Sequence, residues 1–82
     1  MDRNLDLIRR ILQDVKAIPI GQMAGPTYYP DEYPNDIVIE HLKLLHKEGY
    51  IEAIIHEERS GLNSIMISRL TSKGHDFLSR NP

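Results

Sequence analysis

The sequence predicts an α+β domain in which helices pack against one β-hairpin. Residues 4–17 and 35–48 each place apolar side chains at the spacing of one helical face. Residues 50–58 and 64–70 are rich in isoleucine and lie on either side of a short turn that contains glycine, a pattern that favours a hairpin. A chain of 82 residues is long enough for one domain with a small core.

The first helix has apolar residues at every third or fourth position. They are Leu5, Ile8, Ile11, Leu12 and Val15. Asn4 or Asp2 can cap the start of this helix, because a short polar side chain accepts a hydrogen bond from a free amide of the first turn. Pro19 ends the helix, since the residue before a proline is disfavoured in the α-helical region. If two copies of the chain form a homodimer, we expect the apolar surface of residues 5–18 to form the contact between them.

Residues 18–34, IPIGQMAGPTYYPDEYP, form a connector that holds four of the five prolines. Because proline disrupts a helix interior, we expect a loop here, in which residues 22–24 can form a short edge strand. Tyr28, Tyr29 and Tyr33 lie close together in this loop. Tyrosine is enriched at protein interfaces, so these rings are candidates for binding a partner. The alternative is that they fold back over the small core.

The second helix, over residues 35–48, begins directly after a proline and ends at Gly49, a typical residue for the position that follows a helix. Asn35 or Asp36 is expected to cap it. His41 lies beside the apolar stripe of this helix. We expect its side chain to pack and to hydrogen-bond a backbone carbonyl or a neighbouring helix, because buried polar groups normally have partners.

Thr71 is expected to cap a last helix that runs to about Ser79. Gly74 lies in the first turn of this helix, where the missing Cβ lets the helix approach its neighbour closely. We expect that neighbour to be the first helix. The next residue, His75, is expected to pack and hydrogen-bond in the same way as His41. His41, Gly74 and His75 are therefore predicted to have structural roles.

The predicted order is helix, short strand or loop, helix, β-hairpin wing and C-terminal helix, which is the order of a winged-helix domain. In such a domain the second main helix enters the major groove of DNA and the hairpin contacts the DNA backbone. The candidate DNA contacts on these two elements are Asn35, Lys43, Lys47, Arg59 and Asn63. The net charge of −2 argues against binding by charge alone, because phosphate contacts require clustered lysine and arginine.

The sequence disfavours several classes of function. It has no cysteine, which excludes a disulfide and a thiolate metal site and fits a cytoplasmic location. Its four histidines lack the spacing of a metal site, and no motif assembles a nucleophile with its base or cradles a phosphate. We therefore expect no enzyme activity, no metal and no cofactor. No apolar run approaches the roughly 20 residues of a membrane span, so we expect no membrane association.

Three separate stretches resemble one protein family. They are MDRNLDLIRRIL (1–12), EYPNDIVIEHLKLL (32–45) and RLTSKGHDFL (69–78). In this order they are similar to the family known as domain of unknown function 2513, whose members occur largely in phages, prophages and bacteria. The resemblance covers most of the chain and implies a winged-helix-like fold. The family has no established activity, so the resemblance implies no reaction.

Two functions of different classes stay open. The first is a DNA-associated transcriptional regulator or accessory factor of phage or bacterial origin, and the order of the predicted elements motivates it. The second is a protein-interaction module that has the winged-helix shape but binds a host or partner protein. The net negative charge and the tyrosine-rich connector motivate the second function.

Overall fold

The computed structural model describes residues 3–59 and 63–81. Its regular elements are the helices α1 (Leu5–Lys16), α2 (Asn35–Lys47) and α3 (Ser72–Arg80) and the strands β1 (Ile51–Glu57) and β2 (Asn63–Leu70). β1 and β2 pair antiparallel and form the predicted hairpin. The order α-α-β-β-α is α+β and winged-helix-like, which confirms the predicted fold class.

Two of the three helices begin with the predicted side-chain caps. The Asn4 side chain accepts a hydrogen bond from the Leu7 amide at 3.0 Å, at the start of α1. The Thr71 hydroxyl accepts one from the Gly74 amide at 3.2 Å, at the start of α3. These bonds satisfy amides that have no partner within their own helix.

The start of α2 differs from the prediction. Its N-cap is Pro34, no side chain makes a capping hydrogen bond there, and Asn35 is already helical. The Pro34 carbonyl accepts hydrogen bonds from the amides of Ile37 and Val38. A proline suits this position because its restricted φ, here −60°, is compatible with the extended backbone that leads into a helix. The expected capping by Asn35 or Asp36 is therefore wrong.

The connector adds a third segment to the hairpin. Ala24 forms a single bridge with Ile67 of β2 through two backbone hydrogen bonds of 2.8 and 2.9 Å. The short edge strand expected at residues 22–24 is thus reduced to this one bridge. Across the sheet the order is Ala24, β2 and β1.

A core of aliphatic side chains fills the space between the helices and the inner face of the hairpin. Its buried members are Leu7, Ile8, Ile11, Leu12, Val15, Val38, Leu42, Leu45, Ile51, Ile65, Ile67 and Leu70. Burying one such side chain contributes roughly 1.5–3 kcal/mol. Except for Leu5, which is 63% exposed, the apolar face of α1 lies inside this core. Most of the surface of residues 5–18 that was expected to serve a homodimer is therefore occupied by contacts within one copy.

Two glycines occupy positions that disfavour other residues. Gly49 follows α2 with a φ of 82°, in the left-handed region that favours glycine. Gly74 packs so closely that a Cβ would overlap the carbonyl oxygen of Tyr50. The close approach expected of Gly74 is present, but its neighbour is the segment between α2 and β1 rather than α1. His75 is exposed rather than packed, because successive helical residues point about 100° apart.

Candidate interaction surfaces

His41 is a buried structural residue. Its Nε2 accepts a hydrogen bond from the Asn4 amide at 3.1 Å, and its Nδ1 lies 2.8 Å from the Ile37 carbonyl oxygen. Because the amide donates to Nε2, the proton of the neutral ring is on Nδ1, which donates to the carbonyl. Both ring nitrogens are thus engaged by the backbone, as expected from the position of His41 beside the apolar stripe.

A groove between α2 and β1 collects two of the predicted DNA contacts. Lys43, His46 and Lys47 line it from α2, and Ile55 and Glu57 line it from β1. The Lys43 ammonium forms an ion pair with the Glu57 carboxylate at 2.8 Å. We call this the basic groove. It retains a positive charge overall, although the carboxylate neutralises one of its two lysines.

The other predicted DNA contacts lie away from the basic groove. Asn35 is the first residue of α2 and lies roughly 12 Å along the helix from the groove, at a rise of about 1.5 Å per residue. Near it, the exposed residues Asp36 and Glu40 make this half of the helix acidic. Arg59 is exposed after the end of β1. The side chain of Asn63 lies outside the described residues.

Among the residues that the structure describes, several lysine and arginine side chains form ion pairs with carboxylates. The pairs are Arg3–Glu48, Arg9–Asp6, Arg10–Glu32, Lys43–Glu57, Arg69–Glu52 and Arg80–Asp76. Exposed pairs of this kind contribute only about 0–1 kcal/mol each to stability. Each of them nevertheless cancels a positive charge that a DNA phosphate would otherwise meet.

The three connector tyrosines have different environments. The rings of Tyr29 and Tyr33 pack against the core and lie edge to face, with centroids 6.4 Å apart. The Tyr29 hydroxyl donates a hydrogen bond to Asp14, and the Arg10 guanidinium lies 4.4 Å from the centre of the Tyr29 ring. Partial burial, followed by the hydrogen bond to Asp14, raises the pKa of Tyr29 above its ordinary value. Tyr28 is 39% exposed and is the most accessible of the three.

A cavity of about 40 Å³ lies between α1, the connector and β2, beside Tyr29. Its walls are mainly aliphatic, and Asp14 and Thr27 supply polar groups. Such a volume holds one or a few water molecules. It is far smaller than the roughly 300 Å³ at which ordinary ligand pockets begin, so we assign no cofactor to it.

The outer face of the sheet carries an apolar surface that the sequence did not reveal. Ile54 of β1 and Met66 of β2 lie opposite each other in the register and are 53% and 41% exposed. Met23 is 43% exposed, and it precedes the inward-facing Ala24, so alternation along the backbone places it on the outer face. We call Met23, Ile54 and Met66 the outer patch. Exposed apolar side chains that are grouped on one face are typical of interaction sites.

An ion pair borders the outer patch. Glu52 of β1 lies opposite Arg69 of β2, whose Nε and Nη2 atoms donate to the two carboxylate oxygens at 2.6 and 3.2 Å. These bonds hold the pKa of Glu52 below its ordinary value. The outer face therefore presents an acidic and a basic group side by side, next to an apolar pair in the same two strands.

The part of the chain that the structure describes contains no group of histidine, aspartate and glutamate side chains arranged to hold a metal ion. None of the helices in residues 3–59 and 63–81 is long and apolar enough to cross a membrane. Among the described residues, the candidate interaction sites are the basic groove, the outer patch and the exposed Tyr28.

Comparison with known proteins agrees with the sequence resemblance. Residues 2–81 match a protein family that is described as "Hypothetical protein (DUF2513)". No curated protein matches the chain, and no solved structure matches it. Because the match spans nearly every residue, the chain belongs to the DUF2513 family.

Proposed function

We propose that the protein is a non-enzymatic protein-interaction module of winged-helix-like shape, and that the outer patch is its contact surface. One observation carries this proposal: Ile54 and Met66 are exposed opposite each other on the outer face of the sheet, where backbone alternation next to the Ala24 bridge also places the exposed Met23. Removing apolar surface from water is favourable by about 25 cal/mol for each Å² that a partner covers. Methionine suits such a surface because its flexible side chain adapts to different partners.

The charge distribution supports a protein partner over DNA. Proteins that bind DNA through its backbone place several unpaired lysines or arginines on one surface. Here the exposed side of α2 begins with Asp36 and Glu40, and its Lys43 is paired with Glu57. The acidic residues do not oppose a contact at the outer patch, because apolar contacts do not depend on the sign of the net charge.

DNA association is the second candidate function, and the basic groove is the observation that favours it. Lys43, His46 and Lys47 lie on the helix that would enter the major groove, beside the hairpin that would contact the backbone. Arg59 extends the positive charge beyond the end of β1. This candidate uses a different surface from the outer patch, so the two functions can be tested separately.

The proposal is tested by capture from a lysate of the native host on immobilised protein. We expect a protein that is retained by the wild type and lost from Ile54→Glu, because a carboxylate in the contact surface would be buried without a partner. The matched control is Ile20→Glu, since Ile20 is another exposed isoleucine but lies in the connector. If the wild type and Ile54→Glu retain the same proteins in the same amounts and also self-associate equally, the outer patch is not the contact surface.

A further inference from the structure

We infer that the partner of the outer patch is a second copy of this chain, with the two outer faces packed together about a two-fold axis parallel to the strands. The inference rests on the proposed function and names the partner class for the same surface. It follows from the way in which the exposed residues of β1 and β2 are matched across the hairpin.

The register of the hairpin makes its outer face complementary to itself. Glu52 lies opposite Arg69, and Ile54 lies opposite Met66. A two-fold axis that runs between the strands and parallel to them places β1 of one copy over β2 of the other, without a shift along the strands. Each exposed residue of one copy then faces a residue of the other copy, and that residue is the same one that lies opposite it in its own hairpin.

The same rotation places opposite charges of the two copies against each other and apolar side chains against apolar side chains. The Glu52 carboxylate of one copy faces the Arg69 guanidinium of the other, and this occurs twice because the axis repeats every contact. Ile54 likewise faces Met66. In each monomer Glu52 and Arg69 already pair, so the dimer would join two ion pairs into a network of four alternating charges.

Met23 extends the contact beyond the two strands. It lies on the side of β2 away from β1, next to the Ala24 bridge. In the dimer, Met23 of one copy therefore lies beyond β1 of the other copy. There it covers the outer edge of β1, which has no paired strand in the described residues. Sheets that pack face to face keep their strands within about 30° of each other, which agrees with an axis parallel to the strands.

The size of the surface predicts a weak dimer. The accessible surface of the described chain is 5552 Å², and an ordinary stable interface buries about 800 Å² of each partner. Three apolar side chains and one ion pair cover less than that. We therefore expect an equilibrium between monomer and dimer that depends on protein concentration rather than a permanent dimer.

Sedimentation equilibrium of the purified full chain tests this inference directly. Between about 5 μM and about 500 μM, a range that brackets the affinity of weak interfaces, the average mass should rise from 9.5 kDa towards twice that value. A mass that stays at the monomer value up to the highest concentration would overturn the inference.

Substitutions locate the contact. Ile54→Glu should raise the dissociation constant at least about tenfold, because it places carboxylates in the centre of the contact, whereas Ile20→Glu should leave it unchanged. If both variants associate equally well, the dimer uses another surface and the inference is wrong. Circular dichroism of each variant shows whether it is folded before its mass is measured.

A charge exchange tests the two-fold pairing itself. Glu52→Arg alone and Arg69→Glu alone should each weaken association, because like charges then face each other in the dimer. The double variant Glu52→Arg/Arg69→Glu restores opposite charges within and between the copies, so it should dimerise like the wild type. Association that the single changes leave intact, or that the double change does not recover, would rule out this arrangement.

Failure of this inference is distinct from failure of the proposed function. If the chain is monomeric but captures a different protein through Ile54, the outer patch is an interaction surface and its partner is not a second copy. If the chain is monomeric and capture does not depend on Ile54, both the inference and the proposed function are wrong.

Discussion

The two ring nitrogens of His41 connect α2 to the start of α1. The Asn4 amide, 37 positions away in the chain, donates to one nitrogen, and the other nitrogen donates to the Ile37 carbonyl one turn earlier in α2. His41 is 1% exposed, so water cannot replace either partner. A buried polar group that keeps its hydrogen bonds costs little, whereas one that loses them costs about 1–3 kcal/mol.

Replacement of His41 by leucine should therefore destabilise the protein although leucine is more apolar. We expect His41→Leu to lower the free energy of unfolding by about 1–3 kcal/mol, because the Asn4 amide loses its acceptor at a partly buried position. Urea unfolding followed by circular dichroism measures the change. His46→Leu, at an exposed position of the same helix, is the control and should change stability by no more than about 0.5 kcal/mol. Equal effects of the two substitutions would show that the His41 hydrogen bonds contribute nothing specific.

The contrast between His41 and His75 shows a limit of sequence analysis at this scale. Each histidine is next to an apolar stripe in the sequence, and each was expected to pack. The side chain of His41 points into the core, while that of His75 is exposed. The difference arises because Gly74 is the residue that contacts Tyr50, and this contact turns the following side chain away from the core.

At the scale of elements, α3 is held against the junction between α2 and β1. The Tyr50 carbonyl accepts a hydrogen bond from the Thr71 amide at 3.1 Å, and the Tyr50 ring packs edge to face on Phe77 with centroids 5.8 Å apart. The Lys73 ammonium donates to the Glu48 carbonyl at 2.9 Å and lies 4.5 Å from the centre of the Tyr50 ring. With α3 held in this position, a Cβ at position 74 would overlap the Tyr50 carbonyl oxygen and crowd Leu70.

The substitution Gly74→Ala tests how rigid this junction is. Alanine favours a helix over glycine by about 1 kcal/mol, but its Cβ would overlap the Tyr50 carbonyl oxygen. We expect the overlap to dominate and the free energy of unfolding to fall by about 1–3 kcal/mol, the usual cost of overpacking. Thermal unfolding measures the change.

Gly25→Ala is the matched control for Gly74→Ala. A Cβ at position 25 would meet no heavy atom within 4 Å. Because alanine also restricts the unfolded chain, Gly25→Ala should leave stability unchanged or raise it by up to about 1 kcal/mol. If Gly74→Ala is as stable as Gly25→Ala, α3 can move away from Tyr50 and the close approach is not a constraint.

The elements that the sequence predicted best are those with a strong repeating pattern. The apolar spacing of α1 and the two isoleucine-rich stretches predicted one helix and the hairpin, and Gly49 and Thr71 predicted a helix end and a helix start.

The outer patch was missed because Ile54 and Ile55 are adjacent. Two neighbouring isoleucines do not show which one faces the core, and only the register with β2 decides this.

At the scale of the whole molecule, the placement of charge decides between the two candidate functions. We expect no retention of the wild type on immobilised duplex DNA at about 50 mM salt, a concentration at which contacts to phosphate are strong. The reason is that the acidic start of α2 and the ion pairs cancel most of the positive charge on the surface that would face DNA. A filter-binding titration or a DNA column measures this directly.

Retention that falls as salt rises would instead support DNA association. In that case Lys47→Glu should abolish it, because Lys47 lines the basic groove. Lys16→Glu is the control with the same change of charge, since Lys16 is an exposed residue at the end of α1. Equal losses in the two variants would indicate a response to net charge rather than a site in the groove.

The sequence by itself determined the α+β class, the order of the elements and the family, because helical and alternating periodicity and capping residues are local properties of the chain. Only the tertiary structure decided which side chains form surfaces. It buried Tyr29 and Tyr33 in part, paired Lys43 with Glu57, and exposed Met23, Ile54 and Met66 on one face of the sheet. The physical reason is that burial and charge pairing depend on contacts between segments far apart in the chain.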